Sequence, residues 1–453
     1  MQKLNLRLLA MWSLLIVSFT SCMRENEEPV ISNSGNDVNQ TSSEKKMNSN
    51  EIPTAWMDLT LKLIKTTPGY SPPVASRTLG YLGVTLYEAT VSGSVVNKSI
   101  ATQLNINPVP PAPQPNKYYY WNICANASMA QAARKFFITT TAANKVSIDS
   151  LENYFNAQAL ANYNNVVVNN SITYGRNVAD AIYNWSATDV VGHEGYLKNV
   201  DPNYVPPTGP GKWIPTPPLF APAVQPHWGD VRPFVAQNPN IWMPNPLTYS
   251  LSPQSNYYKQ ALEVYNTKIN LTAAQSTIAQ YWADGGGTIT PPGHSMNIAT
   301  QVIRKEGNNL YKTAEVYSRV GMALADGFIQ CWKEKYVHNA MRPITYINYY
   351  IDPAWTPLIA TPPFPEYSSG HSSQSGAASE VLTAIYGANY SFTDYSKVPD
   401  GFAPRSFNSF YAFADEAAVS RLYGGIHFRA ANENGVICGR KVGSNIMKIV
   451  YKK

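Results

Sequence analysis

Residues 310–343 read LYKTAEVYSRVGMALADGFIQCWKEKYVHNAMRP. The pattern predicts a long helix over Leu310–Tyr336. The stretch ends on Lys335-Tyr-Val-His-Asn-Ala-Met-Arg342-Pro343. Lys335 and Arg342 stand seven residues apart, two helical turns, so a continuous helix would turn both to one side. Pro343 interrupts or kinks that helix beside Arg342.

Helical spacing extends outward from this stretch. Upstream, Trp56, Leu59, Leu61, Leu63 and Ile64 fit one helix, and Leu79, Leu82, Leu86 and Ala89 fit another. Tyr120–Phe137, Val146–Tyr163 and Val167–Trp185 read the same way. Periodicity returns from Tyr257 through Asn270–Ala283, Ser295–Arg304, His371–Tyr386, Phe410–Tyr423 and Asn432–Val450. Strand signals are few. The reading is an all-α protein of packed helical bundles. An N-terminal helical region spans 51–250, and a C-terminal helical bundle spans 251–453. Within the first, residues 201–250 hold 13 prolines, so neither helix nor central strand persists there. Interleaved Trp213, Phe220, Trp228, Phe234 and Trp242 predict an ordered arm wrapped over the helices.

The chain has 453 residues, is 44% hydrophobic and only 14% charged, and carries a formal net charge of +6. This is a globular composition, not a disordered one. Without any Lys/Arg run, the modest positive bias suits small anions rather than nucleic acid. Lys3 and Arg7 precede an apolar run from Leu8 to Phe19, which is short for a bilayer span, and then Thr20-Ser21-Cys22. This reads as a lipoprotein signal over 1–21, with Cys22 lipidated and a polar, flexible tether over 22–50. The expected location is the periplasm or outer membrane, with the lipid as sole membrane anchor. Glu25, Glu27 and Glu28 resemble the surface-export signals of some bacterial lipoproteins. Cys124, Cys331 and Cys438 then allow at most one disulfide and show no zinc-site spacing.

Two further segments join the lysine motif. Phe364-Pro365-Glu366-Tyr367-Ser368-Ser369-Gly370-His371 opens a helix, where backbone N–H groups and a hydroxyl can receive an anion. Ser420-Arg421-Leu-Tyr-Gly-Gly-Ile-His427 supplies a second guanidinium and a second imidazole, with Gly424-Gly425 permitting a tight bend. Each segment alone is weak; in this order and spacing they form one set.

That set, Lys335 to His427, resembles the superfamily of vanadium-dependent haloperoxidases and type 2 phosphatidic acid phosphatases. One position departs: Ser368 stands where the family usually has proline before Ser-Gly-His. The resemblance implies vanadate as cofactor, held by Lys335, Arg342, Ser369, Gly370, His371, Arg421 and His427. It implies that His427 bonds the vanadium and His371 serves as acid and base, with Lys335 assisting. Hydrogen peroxide and a halide would be the substrates, with iodide or bromide favoured. Trp332, one turn before Lys335, and Phe364, seven before His371, are expected beside the cradle, and His338 in its surroundings. His294, in Pro291-Pro-Gly-His294, reads as a helix start near the pocket, His193 and His227 as loop residues, and Glu366 and Asp326 as structural or supporting groups. An exported acid phosphatase working through a phosphohistidine at His427 is the alternative, and a binding protein without activity the third reading. Length and the aromatic neighbours favour the peroxidase. Oligomeric state does not follow from the sequence.

Overall fold

The computed structural model describes residues 49–453. The leader, Cys22 and most of the tether lie outside the described residues. Among the described residues, thirteen α-helices follow one another. They are α1 Glu51–Thr66, α2 Pro72–Thr90, α3 Trp121–Phe136, α4 Ala142–Asn162, α5 Asn165–Ala187, α6 Asn256–Ile269 and α7 Ala273–Tyr281. After these come α8 Thr290–Lys305, α9 Leu310–His338, α10 Pro343–Tyr350, α11 Gly370–Tyr386, α12 Phe410–Tyr423 and α13 Arg429–Met447. The described strands are a short antiparallel pair, β1 Phe392–Asp394 and β2 Arg405–Phe407, with Phe392 opposite Phe407. The all-α reading holds. No described helix is long and apolar enough to cross a membrane.

The central element is α9, whose residues from Thr313 to Trp332 are all buried. It lies directly on α2. A Cβ on Gly83 would stand 2.5 Å from the Tyr317 carbonyl, and one on Gly321 would stand 2.6 Å from that of Leu79, so only glycine admits this approach. α11 is buried in the same way against α13. There a Cβ on Gly439 would stand 2.1 Å from Ser373 O, and one on Gly376 would stand 2.6 Å from Val436 O. This contact fixes the start of α11. One continuous apolar core runs through α1, α2, α3, α9, α11 and α12. Cys124, Cys331 and Cys438 are all buried free thiols.

The proline-rich arm lies along α9. Asp326, fully buried on α9, accepts Phe234 N at 2.7 Å, Val235 N at 2.9 Å and Asn238 Nδ2 at 2.8 Å. Burial pushes its carboxyl up to about 7, against those three bonds. Asp326 is thus the fastening of the arm. Trp213, Trp228 and Phe234 are buried, but Phe220 and Trp242 face solvent, so only part of the expected aromatic wrap exists. Val224 carries the arm to the site: its carbonyl accepts from Trp332 Nε1 and Tyr336 OH, and its N–H donates to Pro363 O.

One local expectation fails. Lys335 and Arg342 do not share a helix. α9 stops at His338, Asn339 adopts a left-handed conformation (φ 49°), and Arg342 caps a new helix opened by Pro343. Asn tolerates that backbone region, and proline suits the first position of a helix.

Candidate active site

Four chain segments converge on one buried place: the end of α9, the 364–371 turn, the α12–α13 junction and the segment after α7. Lys335, on α9, is fully buried, and its ammonium donates to the carbonyls of Pro365 (2.9 Å), Glu366 (3.0 Å) and Ser368. It therefore holds the turn that carries Ser369 and Gly370. Burial and the Arg342 charge pull its pKa down to about 7.

Arg342 is also fully buried. Its Nε donates to Phe364 O at 2.8 Å and its Nη1 to Ile426 O at 2.8 Å, while Nη2 has no partner. Arg421, on the last turn of α12, donates through Nη1 to Trp282 O at 2.6 Å, and its Nε has no partner. Desolvation lowers both guanidinium pKa values to about 10. After α12 the chain reverses at Gly425, whose φ of 77° suits glycine, and this delivers His427.

The tautomer of His427 follows from its partners. Arg342 Nη1 lies 3.1 Å from Nε2 and can only donate, so Nε2 carries the lone pair. Nδ1–H then donates to Glu366 Oε1 at 2.8 Å, the oxygen that also takes Phe428 N–H at 3.0 Å. Burial, with Arg342, Lys335 and Arg421, holds the His427 pKa well below its ordinary value. Burial likewise raises the Glu366 carboxyl to about 7, opposed by Arg342 and Lys335.

Ser369 is the N-cap of α11, and its hydroxyl accepts from Ser372 N. Gly370 begins the helix, so its N–H belongs to the positive end of the helix dipole. A Cβ there would stand 3.3 Å from the Trp332 ring, which shows how closely the helix start nests on α9. His371 follows, with Nε2 unpartnered. Desolvation, together with Arg421, holds its pKa well below the usual value, opposed by Asp284. Trp332 and Phe364 form an aromatic wall with ring centroids 4.9 Å apart. The Lys335 ammonium sits 5.0 Å and the Arg342 guanidinium 5.0 Å from the Phe364 centroid.

The seven predicted residues and the two predicted aromatics are thus brought together. His338 turns elsewhere, to Glu334 at 3.1 Å and edge-on to Tyr367. His227 pairs with Asp201, and His193 is partly exposed. Glu366, expected as a supporting group, holds His427 directly. Two contributors were not foreseen: Phe328 extends the wall behind Trp332 at 5.2 Å, and the Trp282 carbonyl holds Arg421. Phe328 had a legible signal, standing one turn before Trp332 on the same helix face.

Buried cations and unpartnered polar nitrogens are costly in isolation. Here Arg342 Nη2 and Arg421 Nε have no acceptor for their N–H groups, and His371 Nε2 has no partner. The set fits a tetrahedral oxyanion: two guanidinium groups and a helix N-terminus as donors, an imidazole lone pair for the central atom, and the Lys335 charge behind the turn, its N–H groups already on carbonyls. Vanadate has that form and charge. Fold and site define an all-α oxyanion-binding enzyme.

Comparison with known proteins agrees. The family model for the VCPO second helical-bundle domain matches residues 315–353 and 350–453. A bacterial vanadium-dependent iodoperoxidase, known from its crystal structure, is 36% identical over 89% of this chain and 97% of its own, with a TM-score of 0.81. Holo and apo crystal structures of a bacterial vanadium-dependent chloroperoxidase share the fold at 16% identity, with TM-scores of 0.64 and 0.65 and coverage of 87% and 84% of this chain and 92% and 94% of theirs. No curated protein matches by sequence. The chain belongs to the vanadium-dependent haloperoxidases.

Proposed function

We propose that this haloperoxidase uses vanadate to oxidise iodide and bromide in preference to chloride, with His427 as the vanadium ligand. The observation that carries the assignment is the His427–Glu366 pair. It fixes the Nδ1 proton and presents the Nε2 lone pair among Arg342, Arg421 and Lys335. The overall reaction turns hydrogen peroxide, halide and one proton into hypohalous acid and water. Bound vanadate supplies the Lewis acid that activates peroxide without any change in metal oxidation state.

The protein's share of the work is electrostatic and protonic. Arg342, Arg421 and Lys335, with Ser369 and the Gly370 N–H, neutralise the oxyanion's charge where water is excluded. His371 is neutral at rest because of burial and Arg421, so its Nε2 can accept a proton from entering peroxide and return one later. Phe364 and Trp332 give the halide an apolar wall beside the Lys335 charge. A halide must shed water to rest there, and iodide sheds it most readily and is easiest to oxidise. The 36%-identical relative is an iodoperoxidase, which supports iodide as a substrate. The test is peroxide-dependent oxidation of each halide by vanadate-loaded enzyme. The expected order of kcat/KM is iodide, bromide, chloride; chloride turnover equal to that of iodide contradicts it.

The leader and Cys22 support an exported lipoprotein. Cys22→Ser should release the enzyme from the membrane fraction, and continued sedimentation with membranes contradicts lipidation.

A further inference from the structure

Beside the cradle lies a second buried charged cluster that the reaction, as described, does not use. His294 is the fifth residue of α8, just after Pro291 and Pro292, with 1% of its surface exposed. Its Nδ1 faces Asp284 Oδ2 at 2.8 Å and its Nε2 faces Asp394 Oδ2 at 2.8 Å. Two carboxylate oxygens at hydrogen-bond distance from both ring nitrogens require two N–H donors, an imidazolium. A helix N-terminus disfavours a cation, so the two carboxylates must hold it there. Lys397, 3.2 Å from Asp284 Oδ1, offsets the second negative charge.

This cluster is tied to the site through one residue. The Trp282 ring stacks on His294, with centroids 4.5 Å apart and planes at 20°. The Trp282 carbonyl accepts Arg421 Nη1 at 2.6 Å. On either side of Trp282 the chain is held by the same cluster. Tyr281 OH donates to Asp394 Oδ2 at 2.8 Å, and Asp284 bonds His294. Trp282 Nε1 donates to Glu416 at 2.9 Å, which fixes the outer edge of the ring.

We infer that His294, clamped between Asp284 and Asp394, is a positioning residue for the oxyanion site: it sets the Trp282 carbonyl that orients Arg421. The inference rests on the reading of Arg421 as part of the vanadate cradle. Without the clamp, the 281–284 segment loses its stacking partner and one of its two ionic ties. Arg421 then keeps its charge but loses its fixed direction.

The test measures vanadate affinity of metal-free protein by isothermal titration calorimetry, alongside peroxidase kinetics and circular dichroism. His294→Gln offers hydrogen bonds but cannot bridge both carboxylates as a cation. It is expected to weaken vanadate binding by about 10- to 100-fold, the usual loss when an outer partner of a metal site is removed. kcat should fall while KM for iodide, set at the Trp332–Phe364 wall, stays near wild type. A merely structural residue would lower the melting temperature and leave the vanadate Kd of the folded fraction unchanged; that result overturns the inference. Should His294→Gln not fold, Asp394→Asn decides. It keeps shape and an acceptor while removing one carboxylate charge, and an unchanged Kd in this variant also overturns the inference. Arg421→Ala serves as control. If it leaves vanadate binding intact, the cradle reading itself fails; if it weakens binding while the His294 variant does not, only the positioning role fails.

Discussion

Glu366→Gln separates binding from stability at this site. Glu366 Oε1 takes His427 Nδ1–H and Phe428 N–H, and a glutamine oxygen can take both, so the geometry survives. What disappears is a buried charge. Burial raises the carboxyl from 4.5 to about 7. A folded-state pKa above the unfolded one means that ionisation opposes folding. That penalty is absent below the unfolded value, grows as pH rises toward the folded value, and is full above it. At pH 8 a shift of this size corresponds to about 3 kcal/mol. Vanadate-free Glu366→Gln should therefore be more stable than wild type by about that amount at pH 8, with the gain vanishing near pH 4. Vanadate affinity should move the opposite way, falling by about 10- to 100-fold, because the carboxylate no longer strengthens the imidazole as a ligand. Urea unfolding at several pH values reads the first effect and calorimetric titration with vanadate the second. A variant less stable than wild type at pH 8 would show the carboxylate to be net stabilised by Lys335 and Arg342. An unchanged vanadate Kd would refute the proposed tuning of His427.

Two other outcomes follow from the charged groups. Lys335, held near pH 7 by burial, is cationic below that value and neutral above it, so vanadate binding should weaken as pH rises past about 7. Lys335→Met should show a flatter dependence between pH 6 and 9, about one decade of Kd per pH unit being removed from the steep limb, and an equally steep profile contradicts the assignment. The His294 pKa is raised to about 10 by Asp284 and Asp394 despite burial, so its stabilisation is full below its ordinary pKa and is lost as pH rises through about 10. Removing one partner of a buried ion pair costs roughly 3–5 kcal/mol, so His294→Gln should be destabilised by that order at pH 7 and match wild type near pH 10.5; a difference independent of pH counts against the pair.

The cradle was legible because its chemistry is carried by side chains in three short segments with fixed order and spacing. Fold class was legible for a related reason: α9 and its neighbours are long and strongly periodic, and α2 and α11 accept partners through small residues. Other features were hidden by their nature. Glu366 and His427 are 61 residues apart, and nothing in the local pattern of either announces the pairing. The Trp282 carbonyl that holds Arg421 is backbone, for which any residue could stand. The helix break at Asn339 depends on a single left-handed residue, so spacing alone ran the helix on to Arg342. His294 looked like a simple helix start because its partners, Asp284 and Asp394, come from a loop and a strand on opposite sides of it in sequence.

The central claim is that one oxyanion sits among Arg342, Arg421 and Lys335 with its metal on His427. A crystal structure of the vanadate-soaked protein tests it directly. Vanadium is expected on His427 Nε2, with Arg342 Nη2 and Arg421 Nε donating to its oxygens. Vanadate found away from His427, or a soaked crystal in which those two guanidinium atoms still have no partner, contradicts it.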